Sequence, residues 1–157
     1  MTGLRPIEVE SLQAKLDYEF SDTDLLVRAL THRSAGKVHN ERLEFLGDAI
    51  IGFAVAAAFF HRFPEVDEGT LSRMRASVVS GEALSRVARE LGLSEHLILG
   101  ESERKSGGRH RESILADTLE ALGALWCWMT ARSEPSPSLV IGWSRVLRQC
   151  RRMMSLT

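Results

Sequence analysis

Apolar residues recur every three or four positions along most of this chain, and that spacing predicts amphipathic helices. The pattern predicts helices over residues 8–16, 22–31, 40–61 and 68–91, and a further one from residue 112 onward. Pro64 and Gly92 follow two of these segments and are typical of helix ends. Strand signals are absent, because no stretch alternates apolar and polar residues and no Asn-Gly or Asp-Gly turn occurs. The sequence therefore predicts an all-α fold in a single domain.

Length and composition leave that prediction unchanged and narrow the class of protein. The chain has 157 residues, of which 44% are hydrophobic and 26% charged, as is typical of one globular domain. Cys127 and Cys150 have no metal-ligand spacing and indicate no disulfide framework. No apolar signal core lies at the N-terminus, and the longest apolar run, residues 49–60, is shorter than a membrane span. We expect a cytoplasmic protein that does not cross a membrane.

The candidate chemistry begins with three carboxylates on one side of the helix predicted over residues 40–61. Glu41, Glu44 and Asp48 are spaced i, i+3 and i+7, which places them within about 60° of one another around a helix. One interpretation is a solvated acidic face, the usual meaning of such a stripe. The apolar surroundings and the mid-helix Gly47 favour a site instead, since glycine there costs up to about 1 kcal/mol unless another backbone must approach closely.

A second acidic pair, Asp117 and Glu120, repeats the i, i+3 spacing in another apolar helix. Carboxylates embedded in apolar helices require cations or partners. If the two helices pack together, Glu44, Asp48, Asp117 and Glu120 form an all-oxygen cluster. Such a cluster suits Mg²⁺ or Mn²⁺ rather than zinc. A pair of these ions can activate a water and stabilise the leaving oxygen of a phosphodiester. A net charge of −1 excludes a uniformly basic nucleic-acid wrapper but is compatible with such a local site.

Residues 40–49, NERLEFLGDA, resemble the signature motif of the ribonuclease III family. Further segments that resemble the family follow in its order across about residues 5–125: LTHRS at 30–34, EGTLS at 68–72, SILAD at 113–117 and EAL at 120–122. The resemblance implies a helical endonuclease domain over residues 1–125. It also implies hydrolysis of double-stranded RNA to 5′-phosphate and 3′-hydroxyl ends by a cytoplasmic homodimer, in the processing of ribosomal RNA precursors and messenger RNA.

The same resemblance implies roles for the four carboxylates. Glu44, Asp48, Asp117 and Glu120 match the family's metal-binding positions, with Asp48 and Glu120 the most directly catalytic. The implied cofactor is Mg²⁺, which Mn²⁺ can replace, and no organic cofactor is implied. The family also places the apolar side of the signature helix in the dimer interface, so Phe45 and Phe53 are expected to serve packing or dimer contacts.

Several polar residues near these motifs have two interpretations each. Glu41 pairs either with an arginine or with a metal, and His32 is either a helix cap or a phosphate contact. The basic residues of the loop predicted over residues 100–111 either neutralise RNA phosphates or are solvated. Glu68 and Glu103 match family positions, but an exposed glutamate at a helix start or in a loop is common. The predicted site therefore omits both.

The resemblance breaks after residue 125. We predict a divergent basic tail over residues 126–157; its last 26 residues hold five Arg and one Glu, with one short helix over residues 140–147. Residues 126–130, WCWMT, must be encoded TGG TGY TGG ATG ACN, and translation one base earlier gives Val-Leu-Asp-Asp, which restores the family's Leu-Asp. We therefore hypothesise a frameshifted tail. We also expect no room for a separate RNA-binding domain.

Three functional hypotheses follow from these observations. The first is the metal-dependent endoribonuclease. The second is a truncated, catalytically impaired dimer that binds structured RNA without cleaving it; retention of all four acidic positions disfavours it. The third is a di-iron carboxylate oxidoreductase, which requires Glu-x-x-His on two helices. None of the five histidines follows a glutamate at that spacing, which disfavours this class.

Overall fold

The computed structural model describes residues 6–133, with side chains from residue 8 to residue 129. Within this part of the chain there are seven α-helices: α1 (Pro6–Leu16), α2 (Thr23–Ala29), α3 (Glu41–Arg62), α4 (Glu68–Val78), α5 (Gly81–Glu90), α6 (Glu101–Lys105) and α7 (Glu112–Ser133). Short 3-10 turns cover Arg33–Ala35, Leu93–Glu95 and Gly108–His110. No strand forms among residues 6–133, although one isolated parallel bridge joins Thr31 to Ile98. The all-α prediction is confirmed.

The core forms around α7, which packs along α3 and also contacts α5 and α2. Leu115 and Leu125 of α7 are fully buried, and they meet Ile51 of α3, Leu84 of α5 and Leu26 of α2 in one cluster. Burying a leucine side chain stabilises a fold by roughly 1.5–3 kcal/mol. Apolar packing therefore holds side by side the two helices that carry the predicted carboxylates.

The single helix predicted over residues 68–91 is wrong, because the chain forms α4 and α5 with a break between them. Ser80 is extended (ψ 150°) and its hydroxyl accepts a hydrogen bond from the amide of Ala83 at 3.2 Å. This cap starts α5 even though the apolar spacing continues across it. As a result α5 packs on α7, whereas α4 lies against α3 and has no fully buried residue.

The loop predicted over residues 100–111 is also partly wrong. It contains the short helix α6, in which Lys105 and Glu101 form an i,i+4 ion pair at 2.6 Å. A 3-10 turn follows Gly107, whose φ of +82° is a left-handed conformation that favours glycine. The predicted stop at Gly92 is confirmed, since that glycine is also left-handed (φ +68°) and directly follows the last turn of α5.

Helix α7 continues past residue 125, where the family resemblance breaks. Met129 is buried in the core, and the ring of Trp126 meets the edge of Tyr18 with centroids 5.9 Å apart. The predicted domain boundary at residue 125 therefore falls inside a continuous helix. Residues 134–157, including the predicted helix over residues 140–147, lie outside the described residues, and the frameshift hypothesis stays a prediction.

The side of α3 that faces away from α7 exposes large apolar side chains. Phe45, Phe53 and Phe60 are 80%, 56% and 68% exposed, and we call these three residues the α3 apolar face. By length and composition alone, α3 is the one helix within residues 6–133 that could cross a membrane, and 22% of its most apolar 18-residue stretch is buried. A core helix of a soluble protein passes the same test. An exposed aromatic patch on a helix that packs along α7 indicates a surface for a partner.

Candidate metal centre

Three of the four predicted carboxylates converge where α3 crosses α7. One oxygen each from Glu44, Asp117 and Glu120 lies within 4.8 Å of the other two, a spacing at which one cation could contact all three. All three residues are partly buried. We call this set the carboxylate cluster.

Gly47 explains why the helices come so close at this point. A Cβ added at Gly47 would overlap the carbonyl group of Glu120, so only glycine allows α3 to rest on the backbone of α7 there. The close approach inferred from a mid-helix glycine is confirmed. It places Glu44, one turn before Gly47, beside Glu120.

Asp48 lies at the edge of the cluster. It is exposed, and its oxygens are not among the group within 4.8 Å. Its charge nevertheless acts on the cluster, because after burial it is the next largest cause of the raised pKa of Glu120. The structure thus brings Glu44, Asp117 and Glu120 together and leaves Asp48 on the solvent side of α3.

The cluster concentrates negative charge in a partly desolvated place. Burial, followed by the charges of Asp48, Asp117 and Glu44, raises the pKa of Glu120 to about 7. Burial also raises the pKa of Glu44, with Asp117 the next cause, and the pKa of Asp117. Each shift means that the ionised form is disfavoured in the absence of a cation. A divalent cation would relieve that repulsion, and the all-oxygen donor set suits a hard ion.

Glu41 does not join the cluster. Its carboxylate lies 3.3 Å from Nη1 of Arg33 and 3.8 Å from Nδ1 of His39. Of its two interpretations, the arginine partner is the one that the structure shows. Glu68 is also elsewhere, on the first turn of α4, where it accepts a hydrogen bond from the hydroxyl of Ser72 at 2.7 Å.

The segment before α3 is held in place by hydrogen bonds to a distant part of the chain, residues 98–100. The amide of His32 donates to the carbonyl of Ile98 at 3.0 Å, and the hydroxyl of Ser34 accepts from the amide of Gly100 at 2.9 Å. His32 caps the 3-10 turn, since its Nδ1 accepts from the amide of Ser34 at 3.2 Å. Burial lowers the pKa of His32, and the charges of Glu103 and Asp117 oppose this. The cap interpretation of His32 is confirmed, and the residue also lies close enough to the cluster to interact with it.

Glu103 lies nearer to the site than its exposed-loop interpretation implied. Its side chain is 17% exposed and forms an ion pair with Arg111 at 2.9 Å. A Cβ added at Gly108 would lie 2.8 Å from the side chain of Glu103, so the glycine makes room for it. The signal that could have indicated this packing is Gly107-Gly108 shortly after the glutamate. Sequence reasoning omitted Glu103 because nothing local shows that the turn folds back.

Most of the basic residues described around α6 form hydrogen bonds or ion pairs within the chain. Nη1 of Arg109 donates to the carbonyls of Ser94 and Glu95 at 2.8 and 3.1 Å. Arg111 and Lys105 have carboxylate partners of their own. These contacts favour a structural role for much of the basic loop.

Two surface cavities lie away from the carboxylate cluster. One of about 550 Å³ is lined by residues 21–25 with Trp128 and Met129, and one of about 340 Å³ is lined by residues of α1 and the turn after it. Neither includes a cluster residue. The cluster therefore lies outside both cavities.

Comparison with known proteins places this geometry among nucleases. The model of the Ribonuclease-III-like family matches residues 22–131. Ribonuclease 3 of Photorhabdus laumondii is 60% identical over 124 residues, which is 78% of this chain and 55% of that protein. The chain thus spans about half the length of this curated relative.

Solved structures agree with the sequence comparison. Two structures of the nuclease domain of ribonuclease III from Campylobacter jejuni match with a TM-score of 0.82; they are 35% and 34% identical and cover 93% and 96% of this chain and 95% of theirs. One of them concerns structural flexibility in a region involved in dimer formation of that domain. Dicer from Pichia stipitis shares the fold, with a TM-score of 0.58 and 23% sequence identity. That match covers 87% of this chain and 58% of the Dicer chain.

Proposed function

This chain belongs to the ribonuclease III family, and from that premise we propose that it is a metal-dependent endoribonuclease that hydrolyses double-stranded RNA to 5′-phosphate and 3′-hydroxyl ends. The observation that carries the proposal is the convergence of Glu44, Asp117 and Glu120 on α3 and α7. Because the chain spans 55% of its curated relative, the activity, the substrates and the partners are all part of the proposal.

The carboxylate cluster is the proposed site of Mg²⁺, with Mn²⁺ able to replace it. Glu44, Asp117 and Glu120 would hold the cation, and Asp48 would join from the edge. Their donors are all oxygen, and burial raises the pKa of each of them, with the charges of the neighbouring carboxylates adding to the rise for Glu44 and Glu120. A bound cation would offset this concentration of negative charge, and the carboxylates would bind it in their deprotonated form. When bound, such a cation lowers the pKa of water and offsets the charge that develops on a leaving oxygen.

Glu120 and Asp48 have different proposed roles in the site. With a pKa of about 7, Glu120 carries a proton in part of the population at neutral pH and must release it to bind a cation. Asp48 is exposed, so a phosphodiester can reach it from solvent without moving the helices. These positions support the proposal that Asp48 and Glu120 are the most directly catalytic residues.

The proposed active form is a homodimer that associates through the α3 apolar face. Three exposed phenylalanines on a helix of the site would be covered by a second copy. Each subunit would then cut one strand of the duplex. The Campylobacter jejuni nuclease domain has a region involved in dimer formation, which supports the proposal of a dimer.

The proposed substrates are ribosomal RNA precursors and hairpins of messenger RNA, and the proposed location is the cytoplasm. The family reads the shape of the A-form helix, which displays phosphates and 2′-hydroxyls across a shallow groove. With a net charge of −1, attraction to RNA phosphates would come from individual basic residues or a bound cation and not from the protein as a whole.

Cleavage of a long RNA duplex in Mg²⁺ at low salt tests the proposal. The parent chain should cut it, and Glu120→Gln, which keeps the shape but removes the charge, should not. Glu82→Gln is the matched control, because Glu82 lies on α5 in an exposed ion pair with Arg86. A parent that binds duplex as a dimer without cutting it would support the alternative of an impaired RNA-binding dimer. A parent that neither binds nor cuts duplex would refute the proposal.

A further inference from the structure

Arg33 is an exposed cation beside the carboxylate cluster that the proposed chemistry does not use. It begins the 3-10 turn just before α3, and its side chain is 70% exposed. Burial raises the pKa values of Glu44 and Asp117, and the charge of Arg33 opposes both rises. Its Nη1 lies 3.3 Å from the carboxylate of Glu41, which stands one helical turn before Glu44 on α3, so the guanidinium lies beside the cluster and remains open to solvent.

The backbone that carries Arg33 is held firmly. Its neighbours His32 and Ser34 hydrogen-bond to Ile98 and Gly100, as described above, at 3.0 and 2.9 Å. A Cβ added at Gly100 would overlap the carbonyl of Ser34, so the two segments are in direct contact. The position of Arg33 is thus fixed by a distant part of the chain, and only its side chain is free to change partner.

The present partner of Arg33 is weakly held. Its Nη1 lies 3.3 Å from Glu41, whose side chain is 47% exposed, and a pair of this kind contributes about 0–1 kcal/mol. Other arginines near the site are more committed, since Arg109 donates to two carbonyls and Arg111 pairs with the largely buried Glu103. The Arg33 side chain could therefore leave Glu41 and bind another anion with little loss of free energy.

We propose that Arg33 is a substrate-binding residue that leaves Glu41 and binds a phosphate of the RNA strand lying over the carboxylate cluster. A guanidinium matches the two oxygens of a phosphate and retains its charge at all relevant pH values. The contact positions the strand against an otherwise negative surface. This inference deepens the proposed function and rests on it.

The salt dependence of RNA binding tests the contact. In the Glu120→Gln background, which keeps the duplex intact, Arg33→Ala should reduce the slope of log affinity against log salt by about 1.8 in the proposed homodimer, about 0.9 for the one phosphate contact that each subunit loses. Between 50 and 200 mM salt, the variant dimer should lose about 12-fold less affinity than its parent does. Arg33→Lys should keep most of the slope, because lysine still neutralises one phosphate.

Arg86→Ala is the matched control, since Arg86 is likewise exposed and pairs with a glutamate, but on α5. It should leave the slope unchanged. Equal thermal midpoints of the variants would show that the fold is intact.

Two results would overturn the proposal in different ways. If Arg33→Ala keeps the full slope but lowers the Mg²⁺ concentration needed for half-maximal cleavage in the otherwise unaltered chain, Arg33 acts only on the carboxylates. If the protein with Arg33 intact does not bind duplex at 50 mM salt, the proposed function fails and the Arg33 contact fails with it. Cleavage by the parent together with an unchanged slope refutes the contact alone.

Discussion

Replacing Gly47 by alanine tests whether the carboxylate cluster depends on the close contact between α3 and α7. In an isolated helix the change would stabilise by about 1 kcal/mol, because alanine is the better helix former. Here the new Cβ would overlap the backbone carbonyl of Glu120, which cannot rotate away as a side chain could. Forcing extra atoms into a packed contact costs typically about 1–3 kcal/mol. A backbone clash lies at the upper end, so we expect a net loss of about 2 kcal/mol.

Gly52 provides the matched control on the same helix. A Cβ added there meets nothing within 4 Å in its own subunit, so Gly52→Ala should stabilise the monomer by up to about 1 kcal/mol. Because Gly52 lies seven residues after Phe45, on the side of α3 proposed to bind a second copy, the variants are compared at a concentration at which both are monomers. Urea unfolding of both variants at one protein concentration measures the difference, and sedimentation checks that their assembly state is the same. Gly47→Ala should also weaken Mg²⁺ binding, because the helices must separate at the cluster. Equal stability of the two variants would refute the inferred contact.

Two further predictions follow from the cluster and from the α3 apolar face. The pKa of Glu120 rises from 4.5 to about 7 on folding, chiefly through burial. The stabilising effect of its proton is thus complete below about pH 4.5 and lost as the pH rises through about 7. Between these pH values the unfolding free energy of the metal-free parent should therefore fall relative to that of Glu120→Gln, which lacks this proton; an equal pH dependence of the two proteins would contradict this. Phe45→Asp should convert the proposed dimer to a monomer in sedimentation, whereas Val38→Asp, at an equally exposed position before α3, should not; two dimers would exclude this face as the interface.

The sequence predicted those features of the fold that depend on local signals. Helix ends appear where a residue with a clear conformational preference stands, as at Gly92 and at the Asp22 cap, whose carboxylate accepts from the amide of Leu25. The break at Ser80 was missed because the apolar spacing continues through it, and only the capping geometry distinguishes two helices from one.

In the candidate site, too, the features with local sequence signals could be predicted and the others could not. Carboxylates at helical spacing on α3 and α7 could be predicted, because their pattern and the packing glycine lie within each helix. The place of Arg33 could not, since its turn is held by Ile98 and Gly100, which meet it only after folding. The bridge from Thr31 to Ile98 joins residues far apart in the chain, and no local pattern encodes that pairing.

The shallow packing of α4 has a consequence for how the molecule opens. An eleven-residue helix without a fully buried residue can unfold locally while the packing of α5 on α7 remains in place. Its amide hydrogens should therefore exchange with solvent well before those of α5 and α7. Such a helix tolerates substitutions on its outer surface, and it contacts the core through its last residue, Val78. In this protein α4, a helix able to move, packs against α3, which carries Glu44 and Asp48, two of the four predicted site residues.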